Sequence, residues 1–395
     1  MARRPASHRR TVLRRRAVAL LLAGAALVGG IAAAQQSGGG ASAATEPGTN
    51  PTASVPSTGA ATQPVTTTTA TTPTTAPTGG PVSIAWVGDM VLGSSFGMPP
   101  DDGRASLAAV VGTLKRADLT FGNLEETMST TSGSKCGAGS SNCYAFQAPP
   151  SYSGLLRSAG FDVMNMANNH AFDFGPTGRA QTIAALTRVQ LASTGAPGQI
   201  TVLEANGTRV AFLGFAPYPW AARLDRIPQA VALVRRAAAK AELVVVAIHA
   251  GAEGSTATHV PHGTEYFLGE NRGNSRAFAH AVINAGADLV VGSGPHVLRG
   301  VEQYHGHLIA YSLGNFAGFK NFTLGGTLSL SGILRVVLNP DGSWRSARLI
   351  PVALRGAGLP ALDPSNASVR LVAQLSREDF AANAARFAPN GVMEK

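Results

Sequence analysis

The sequence contains few charged residues, and they are unevenly distributed. Charged side chains make up 14% of the chain, yet residues 3–16 hold seven arginines and no acidic residue. The formal net charge is +10, so seven of these charges belong to the N-terminal arm and about three belong to the rest. Because the basic character comes from a short terminal segment, it does not indicate nucleic-acid binding by the folded part. We therefore expect no nucleic-acid partner.

Charge is absent from residues 17–34, which follow the basic arm. Roughly 18 apolar residues fit either a long signal-peptide core or a short membrane span. Small residues at 32–34 and 41–43 favour cleavage, whereas the length and the basic arm favour a retained anchor. Arg9 and Arg10 also resemble a twin-arginine export signal. In each case residues 1–34 predict export, with the rest either anchored in the cell membrane and facing outward, or secreted and associated with the cell wall.

Charge is also scarce in residues 35–80, where Glu46 is the one charged side chain. This segment consists mostly of Thr, Pro, Ala, Gly and Ser, and such a composition cannot bury a core. We expect a disordered and fairly extended linker. It is either a tether through the cell wall or an inert spacer.

Cysteine is nearly absent. The two cysteines, Cys136 and Cys143, lie in a Gly/Ser-rich loop, and in an exported protein such a pair predicts a local disulfide. The enclosed loop is short, so its stabilisation should be at the low end of the usual few kcal/mol. A metal site on two thiolates is the alternative, which the lack of a nearby His or further Cys disfavours.

Residues 81–355 alternate short β-branched runs with helix-like stretches, which favours an α/β domain with more antiparallel pairing near its end. A strand at 344–354 is expected at an edge at best, and residues 356–395 are expected to be a helical tail packed on the domain. The predicted helices cover residues 105–116, 151–159, 178–188, 229–240, 275–285 and 365–375.

Polar residues stand at the ends of five apolar runs that are typical of buried strands. In open α/β sheets, functional sites gather at the carboxyl ends of the strands. Carboxylate, amide and imidazole groups together suit a hard or borderline divalent cation. The sequence therefore predicts one assembled metal site. Its members are Asp89, Asn123 with Glu125, Asn168-Asn169-His170, His249 and His296.

The spacing within these groups indicates individual roles. Asn123 and Glu125 are two residues apart, so in an extended chain their side chains face the same way, as a cation or a polar substrate requires. His170 could ligate a metal or act as a general acid toward a leaving group. Asp173, three residues on, could orient that imidazole.

Further polar residues are expected to support the site. One amide of Asn168 and Asn169 could ligate a metal from the turn that precedes His170. Ser312 and Asn315 end another strand and could hydrogen-bond the metal ligands or an oxyanion.

Six motifs occur in order between about Ile84 and Phe316. They are Gly88-Asp89, Asn123-Leu124-Glu125, Asn168-Asn169-His170 with Asp173-Phe174-Gly175, His249-Ala250-Gly251, residues 286–292 leading to Pro295-His296-Val297, and Ser312-Leu313-Gly314-Asn315-Phe316. Together they resemble the bacterial capsule synthesis family (CapA, poly-γ-glutamate synthesis), which is similar to calcineurin-like metallophosphoesterases. The resemblance implies an α/β sandwich of two mixed β-sheets flanked by helices, with one or two divalent metal ions at the strand ends.

The resemblance also implies roles for the metal ligands. Asp89 would hold one metal, and Glu125 or Asn123 would bridge the pair or hold the second. Asn169 and His249 would complete the second site. The cations would activate a water and stabilise charge during transfer at phosphorus. Mn, Fe, Zn and Mg are not distinguished.

The resemblance gives two further histidines a role. His170 and its partner Asp173 would face the leaving group, and His296 would be a late metal ligand. Two positions depart from the metallophosphoesterase pattern. Those enzymes have a His two residues after the first Asp, and Val91 stands at that position here. They have a second His after the glycine that corresponds to Gly292, and Ser293 stands at that position here. A single metal, a weak pair, and a site that binds without hydrolysis are therefore all open.

Two functions are compatible with this pattern. The first is an exported CapA-like protein of capsule or poly-γ-glutamate synthesis, with a metal-dependent site that acts on phosphoester or γ-glutamyl bonds. The alternative is a non-catalytic accessory protein that binds or exports the polymer. The expected partners are an anionic cell-envelope polymer or its precursor, and the membrane if the N-terminal segment is uncleaved.

Overall fold

A computed structural model of the chain describes residues 79–93, 97–136 and 143–395. The basic arm, the apolar segment at 17–34 and the predicted linker up to residue 78 lie outside these ranges. Among the helices of the described ranges, none is long and apolar enough to cross a membrane.

Strands and helices alternate along the described residues. The strands of the first part are β1 (Val82–Val91), β2 (Leu119–Leu124), β3 (Thr127–Met128), β4 (Gln147–Ala148), β5 (Val163–Asn165), β6 (Ala192–Thr194), β7 (Thr201–Ala205), β8 (Thr208–Ala216), β9 (Ala222–Arg223) and β10 (Leu243–His249). Those of the second part are β11 (Glu265–Phe267), β12 (Glu270–Gly273), β13 (Leu289–Ser293), β14 (Val301–Tyr304), β15 (His307–Ala310), β16 (Asn315–Gly318), β17 (Leu330–Leu338), β18 (Trp344–Arg355), β19 (Leu359–Leu362), β20 (Arg386–Phe387) and β21 (Met393–Glu394). The helices are α1 (Val111–Leu114), α2 (Ser153–Ala159), α3 (Gly175–Arg188), α4 (Ile227–Ala238), α5 (Ser275–Ile283) and α6 (Ala367–Phe380).

The first large sheet is built around β1. On one side of it β2, β5 and β6 continue the sheet in parallel. On the other side β17, β18 and β19 continue it in antiparallel fashion. β16 also pairs in parallel with the end of β1. The carboxyl ends of β1, β2 and β5 therefore lie at the same edge.

The second large sheet has the order β14-β15-β13-β10-β8-β7. Its four central strands are parallel to one another, while β14 and β7 pair with their neighbours in antiparallel fashion. The short strand β9 pairs with β8 in parallel. Both sheets are thus mixed, as the sequence predicts.

The two sheets pack face to face through side chains that alternate along their strands. Ile84 and Trp86 of β1 point into this layer, as does Phe212 of β8. The ring of Phe121 lies edge-on to Trp86, with centroids 4.7 Å apart, and edge-on to Phe212, at 5.1 Å. Aromatic contacts of this kind join the first sheet to the second near the middle of the sandwich.

Helices cover the outer face of each sheet. Leu114, Leu156 and Leu186 of α1, α2 and α3 pack against the first sheet. α4 packs against the second sheet with a face that has the i, i+3, i+4, i+7 spacing of an amphipathic helix. That face consists of Ala230, Leu233, Val234 and Ala237. The predicted α/β sandwich of two mixed β-sheets flanked by helices is confirmed.

Two elements differ from the sequence prediction. The predicted edge strand at 344–354 is β18, which lies inside the first sheet between β17 and β19. The predicted helix at 105–116 is mostly turns, and α1 covers four residues of it. The backbone hydrogen bonds in the first part of this stretch are those of turns. The Ala108 N–H donates to the Ala105 carbonyl and the Val110 N–H donates to the Leu107 carbonyl, which are i→i+3 bonds.

The stretch 356–395, predicted as a helical tail, contributes to the sheet as well. β19 extends the first sheet after a reversal at Gly356 and Gly358, whose φ angles are +58° and +99°. Pro360 weakens the strand signal in the sequence, because proline cannot donate a backbone hydrogen bond. It is accommodated here because β19 lies at the edge of the sheet. From α6, Val369 and Val372 reach the core between the two sheets.

Gly88 lies in a bulge of β1, where the pairing with β2 shifts between Val87 and Asp89. The Asp89 N–H donates to the carbonyl of Gly314 at 3.0 Å. This contact brings the two chain segments so close that a Cβ on residue 88 would overlap the Gly314 carbonyl oxygen. Glycine is therefore required at this turn into the polar strand end.

We predict that Gly88→Ala lowers the free energy of unfolding by about 2 kcal/mol or more, because the backbone must move to admit the methyl group. Gly112→Ala is the matched control, since a Cβ there meets nothing within 4 Å. In a helix that change should raise stability by up to about 1 kcal/mol. Urea denaturation measures both, and equal stabilities would contradict the close approach.

Asp288 connects the beginnings of β10 and β13. Its Oδ2 accepts the Val244 N–H at 2.7 Å, and its own N–H donates to the Val244 carbonyl at 2.8 Å. Burial raises the pKa of this carboxyl to about 6 from 3.8, although the Val244 hydrogen bond opposes the shift. The folded chain therefore binds this proton more tightly than the unfolded chain does.

We predict a pH-dependent difference in the free energy of unfolding between the unsubstituted chain and the Asp288→Asn variant. The advantage of the unsubstituted chain should decrease as the pH rises from about 4 to about 6, and stay constant above that. The folded-state pKa is the higher one, so the stabilising contribution is complete below the unfolded pKa and is lost through this window. The total change should be up to about 3 kcal/mol. Thermal unfolding of both proteins at several pH values tests this, and parallel curves would refute it.

Candidate metal centre

The predicted strand ends meet at one edge of the sandwich. In the first sheet, Asp89 of β1, Asn123 of β2 and Asn165 of β5 are paired neighbours. In the second sheet, His249 ends β10 and pairs with Ser293, which ends β13. The amide nitrogen of Asn123 lies 3.3 Å from His249 Nδ1, so the two rows of polar residues contact each other across the sandwich.

Asp89 is fully buried between these rows. Its Oδ1 accepts from Asn123 Nδ2 at 2.7 Å, and its Oδ2 accepts the Gly294 N–H at 3.1 Å. His249 Nδ1 lies 3.6 Å from Oδ1, and His296 Nδ1 lies 3.3 Å from Oδ2. Burial alone would raise the pKa of Asp89, but the hydrogen bonds and electrostatic interactions with His249 and His296 outweigh it and lower the pKa. Asp89 is therefore an ionised carboxylate.

The amide of Asn123 is held in one orientation by Asn165 and Asn168, whose Nδ2 groups donate to its Oδ1 at 2.8 and 3.1 Å. The backbone orients both donors in turn. Asn165 Oδ1 accepts the Ala167 N–H, and Asn168 Nδ2 donates to the Leu124 carbonyl. The Asn123 oxygen is thus occupied, and its nitrogen faces the carboxylate. In this orientation Asn123 positions Asp89, and its role as a metal ligand stays a prediction.

Glu125 follows β2 and is fully buried. Among the residues that the structure describes, neither of its carboxylate oxygens has a hydrogen-bond partner. Its Oε1 lies 3.5 Å from His249 Nε2 and 3.7 Å from His296 Nε2. Burial, followed by the negative charge of Asp89, raises the pKa of Glu125 well above its ordinary value. A buried carboxyl without donors is unfavourable, and a bound cation would satisfy it.

His249 is buried at the end of β10. Its Nδ1 lies 3.2 Å from the Ser293 hydroxyl, and its Nε2 lies 3.5 Å from Arg272 Nη2. Burial lowers the pKa of His249 to about 4, against the opposing effect of Asp89. The imidazole is therefore neutral at pH 7, which is the form that a metal binds.

His296 lies in the loop after β13, at a φ of +62°. Its Nδ1 donates to Asn315 Oδ1 at 2.8 Å, which leaves Nε2 as the nitrogen that could bind a metal. Burial would lower the pKa of His296. The charge of Glu125, the hydrogen bond of Asp89 and the charge of Glu253 outweigh burial and raise the pKa to about 10. Without a cation, a protonated His296 balances these carboxylates.

Asp89, Glu125 and His296 form the candidate metal centre. Each offers one ligand atom, and the three atoms lie within 4.8 Å of one another. Two carboxylates and one imidazole suit a divalent ion such as Mn, Fe, Zn or Mg. The unpartnered oxygens of Glu125 fit the same conclusion. His249 borders the centre through its contacts with both carboxyl groups.

His170 forms a second polar group on the same side of the fold. Its Nδ1 lies 2.8 Å from Asp173 Oδ2, and that oxygen also accepts the Phe146 N–H at 2.7 Å. Lys135 Nζ contacts the other oxygen, Asp173 Oδ1, at 2.7 Å. Burial lowers the pKa of His170 although Asp173 opposes it, so the imidazole is neutral at pH 7 with its hydrogen on Nδ1. Asp173 therefore holds the ring of His170 in one orientation.

A cavity of about 470 Å³ joins the two groups, since both His170 and His296 line it. Aromatic side chains and one lysine, Lys320, form much of the rest of its wall. The other lining residues are Tyr144, Phe146, Glu253, Gly254, Phe267, Asn315, Asn321, Phe322, Thr323 and Leu328. The predicted disulfide joins Cys136 and Cys143, and Tyr144 of the cavity wall directly follows Cys143.

The structure shows the surroundings of three further predicted residues. Asn168 donates to Asn123 Oδ1 and to the Leu124 carbonyl, and its Oδ1 accepts the His170 N–H at 3.0 Å, so it supports the site. The Oδ1 of Asn169 is buried without a hydrogen-bond partner among the described residues, and its role as a metal ligand stays a prediction. Ser312 Oγ accepts the Gly314 N–H at 3.1 Å, so it shapes the loop and contacts no metal ligand. Asn315, in contrast, does bond a predicted ligand.

The sequence did not single out Arg272, Glu253 or Asn165, although all three contribute to the site. Arg272 Nη1 forms an ion pair with Glu253 Oε1 at 2.9 Å, and Glu253 Oε2 lies 3.7 Å from His296 Nε2. Glu253 could have been found from its position four residues after His249. Arg272 gave no such signal, because it lies in a short hairpin far from the other members in sequence.

Comparison with known proteins supports the family. The chain is 32% identical over 186 residues to “PGA biosynthesis protein CapA” of Bacillus subtilis (strain 168), covering 43% of this chain and 46% of that protein. It is 32% identical over 232 residues to “Capsule biosynthesis protein CapA” of Bacillus anthracis, covering 53% of each. The chain thus spans about half the length of the curated relatives it matches.

Among solved structures, a 5′-nucleotidase precursor from Thermus thermophilus matches with a TM-score of 0.38 and 14% identity, covering 71% of this chain and 54% of that one. The family model described as bacterial capsule synthesis protein PGA_cap matches residues 83–319, which is more than half of the chain and contains the whole candidate metal centre. The chain therefore belongs to the bacterial capsule synthesis protein PGA_cap family, as its six motifs predict.

Proposed function

We propose that this protein acts on an anionic polymer of the cell envelope, of the poly-γ-glutamate type, through a divalent-metal centre at the carboxyl ends of its strands. The observation that carries the proposal is the pair of buried, unpartnered oxygens of Glu125 beside Asp89 and His296. Because His296 also lines the open cavity, an ion held there would be within reach of a substrate. The reaction class is hydrolysis or transfer at a phosphoester or γ-glutamyl bond.

Asp89, Glu125 and His296 would hold the metal, with His249 next to them. When bound, a divalent ion supplies an activated water and stabilises negative charge that develops on the substrate. The chain itself contributes His170, which lines the cavity and is neutral with its hydrogen directed at Asp173. The other ring nitrogen of His170 is then free to exchange a proton with a bound substrate.

The cavity wall supports an anionic substrate. Lys320 provides a positive charge there, and Tyr144, Phe267 and Phe322 provide apolar surface for the stem of a repeating unit. Lys135 is less available, because its ammonium group is paired with Asp173. We expect Lys320 to contribute to polymer binding without touching the metal ligands.

The location belongs to the same proposal. The basic arm and apolar segment at residues 1–34 favour export, with the folded part either anchored in the membrane and facing outward or secreted and associated with the wall. The membrane would be a partner if this segment is retained. An anionic polymer or its precursor would be the main partner.

A second candidate function is non-catalytic binding or export of the polymer. It is favoured by Val91 and Ser293, which stand at positions where metallophosphoesterases have histidines. Val91 is buried, and the Ser293 hydroxyl is 3.2 Å from His249 Nδ1. Fewer ligands leave a site that could orient a polymer without cleaving it.

We predict that Glu125→Gln reduces Mn²⁺ affinity of the full chain by at least about tenfold, because it removes an anionic ligand from the centre. Glu126→Gln is the matched control. Glu126 is also buried, but it accepts the Gly93 N–H at 2.8 Å, and burial raises its pKa to about 8, so a neutral amide replaces it closely. Equilibrium dialysis with elemental analysis measures the bound ion. Equal Mn²⁺ binding by the two variants would refute the centre.

We predict that His170→Ala lowers hydrolysis of poly-γ-glutamate or bis(p-nitrophenyl) phosphate by the Mn²⁺-loaded chain by roughly 100-fold or more, with Mn²⁺ binding retained. Lys320→Ala should instead weaken polymer binding and leave the maximal rate similar. Steady-state kinetics and dialysis separate the two effects. If the unsubstituted chain binds poly-γ-glutamate but hydrolyses neither probe with any of Mn, Fe, Zn or Mg, the accessory function is correct.

A further inference from the structure

A buried guanidinium lies next to the candidate metal centre. Arg272, from β12, is 1% exposed, and its Nη2 is 3.5 Å from His249 Nε2. The same nitrogen donates to the carbonyl of Gly294 at 3.2 Å, and the Gly294 N–H in turn donates to Asp89. Arg272 is not among the residues that line the cavity. It therefore acts on the site from behind the ligands.

Hydrogen bonds hold this guanidinium in one place. Its Nε donates to the Gly251 carbonyl at 3.0 Å, and its Nη1 donates to the Tyr218 hydroxyl at 2.7 Å. Nη1 also forms the 2.9 Å ion pair with Glu253. A planar group with donors engaged on several sides has little freedom to move away when a cation approaches.

His249 lies between Arg272 and Ser293. Its Nε2 faces the guanidinium, and its Nδ1 lies 3.2 Å from the Ser293 hydroxyl. A cation bound about 2 Å from His249 Nε2 would lie less than about 6 Å from Arg272 Nη2, in a buried environment with weak screening. Two like-charged groups at that separation oppose each other.

We propose that Arg272 takes the place of a second divalent ion, so that the site holds one metal per chain, on Asp89, Glu125 and His296. The inference rests on the metal centre proposed above. In this arrangement a fixed guanidinium balances Glu253 and part of the charge on Glu125, while His249 remains a neutral neighbour of the ion. Arg272 is a positioning residue, since it touches neither substrate nor the metal.

The test is the stoichiometry and spectrum of bound Mn²⁺ in the full chain and in two variants. The unsubstituted chain should bind one Mn²⁺ and give a mononuclear six-line electron paramagnetic resonance spectrum. Arg272→Gln removes the charge and should raise affinity for a second Mn²⁺ at least tenfold, with signs of exchange coupling. Arg272→Lys keeps a positive charge and should remain at one ion. Thermal unfolding verifies that each variant is folded.

The outcomes separate this inference from the proposed function. Two tightly bound, coupled Mn²⁺ ions in the unsubstituted chain would overturn the inference while leaving the metal centre intact. No bound Mn²⁺ would overturn both. If folded Arg272→Gln still binds a single Mn²⁺, Arg272 does not exclude the second ion and the inference is overturned. Two coupled Mn²⁺ ions in Arg272→Lys would also contradict the inference, because this variant keeps the positive charge that is proposed to prevent binding of the second ion.

Discussion

The hydrogen bond from the Asn123 amide to Asp89 is the interaction on which the candidate centre depends. It exists because β1 and β2 are parallel, and because the bulge at Gly88 brings Asp89 level with Asn123. The orientation of Asn123 is set in turn by Asn165 and by backbone groups at the next strand end. Three parallel strands thus determine where a single carboxylate points, and the rest of the site is arranged around it.

Buried charge is the second constraint. Asp89 and Glu125 come from the first sheet, whereas His249 and His296 come from the second, so the carboxyl groups meet the two imidazoles only when the sheets pack. The aromatic layer of Trp86, Phe121 and Phe212 provides that packing through apolar contacts. Desolvated carboxyls without a counter-charge would oppose folding. The positive charge of His296 at this edge therefore contributes to the stability of the sandwich.

Much of the fold could be predicted from local pattern, and less of the site. Apolar β-branched runs specified the central strands, and the order of motifs specified the family. Pattern could not show that Asn123 would turn its oxygen away from the centre, because that depends on donors from two other segments. Nor could it show Arg272, which approaches from a hairpin and is recognisable only by its burial beside His249. The roles of Asn123 and Arg272 depend on contacts between segments that are distant in sequence. The spacing of apolar and polar residues does not reveal such contacts.

The hairpin that carries Arg272 brings a fixed positive charge to the candidate centre. At the end of β13, Ser293 offers His249 a neutral hydroxyl and no charge. The guanidinium of Arg272 supplies a positive charge on the other side of His249, anchored to the loop carbonyls of Gly251 and Gly294. Because the arginine is covalently part of the chain, this charge is present at every metal concentration. In the proposed one-metal centre, the electrostatic balance of the cleft would then depend on a single exchangeable cation.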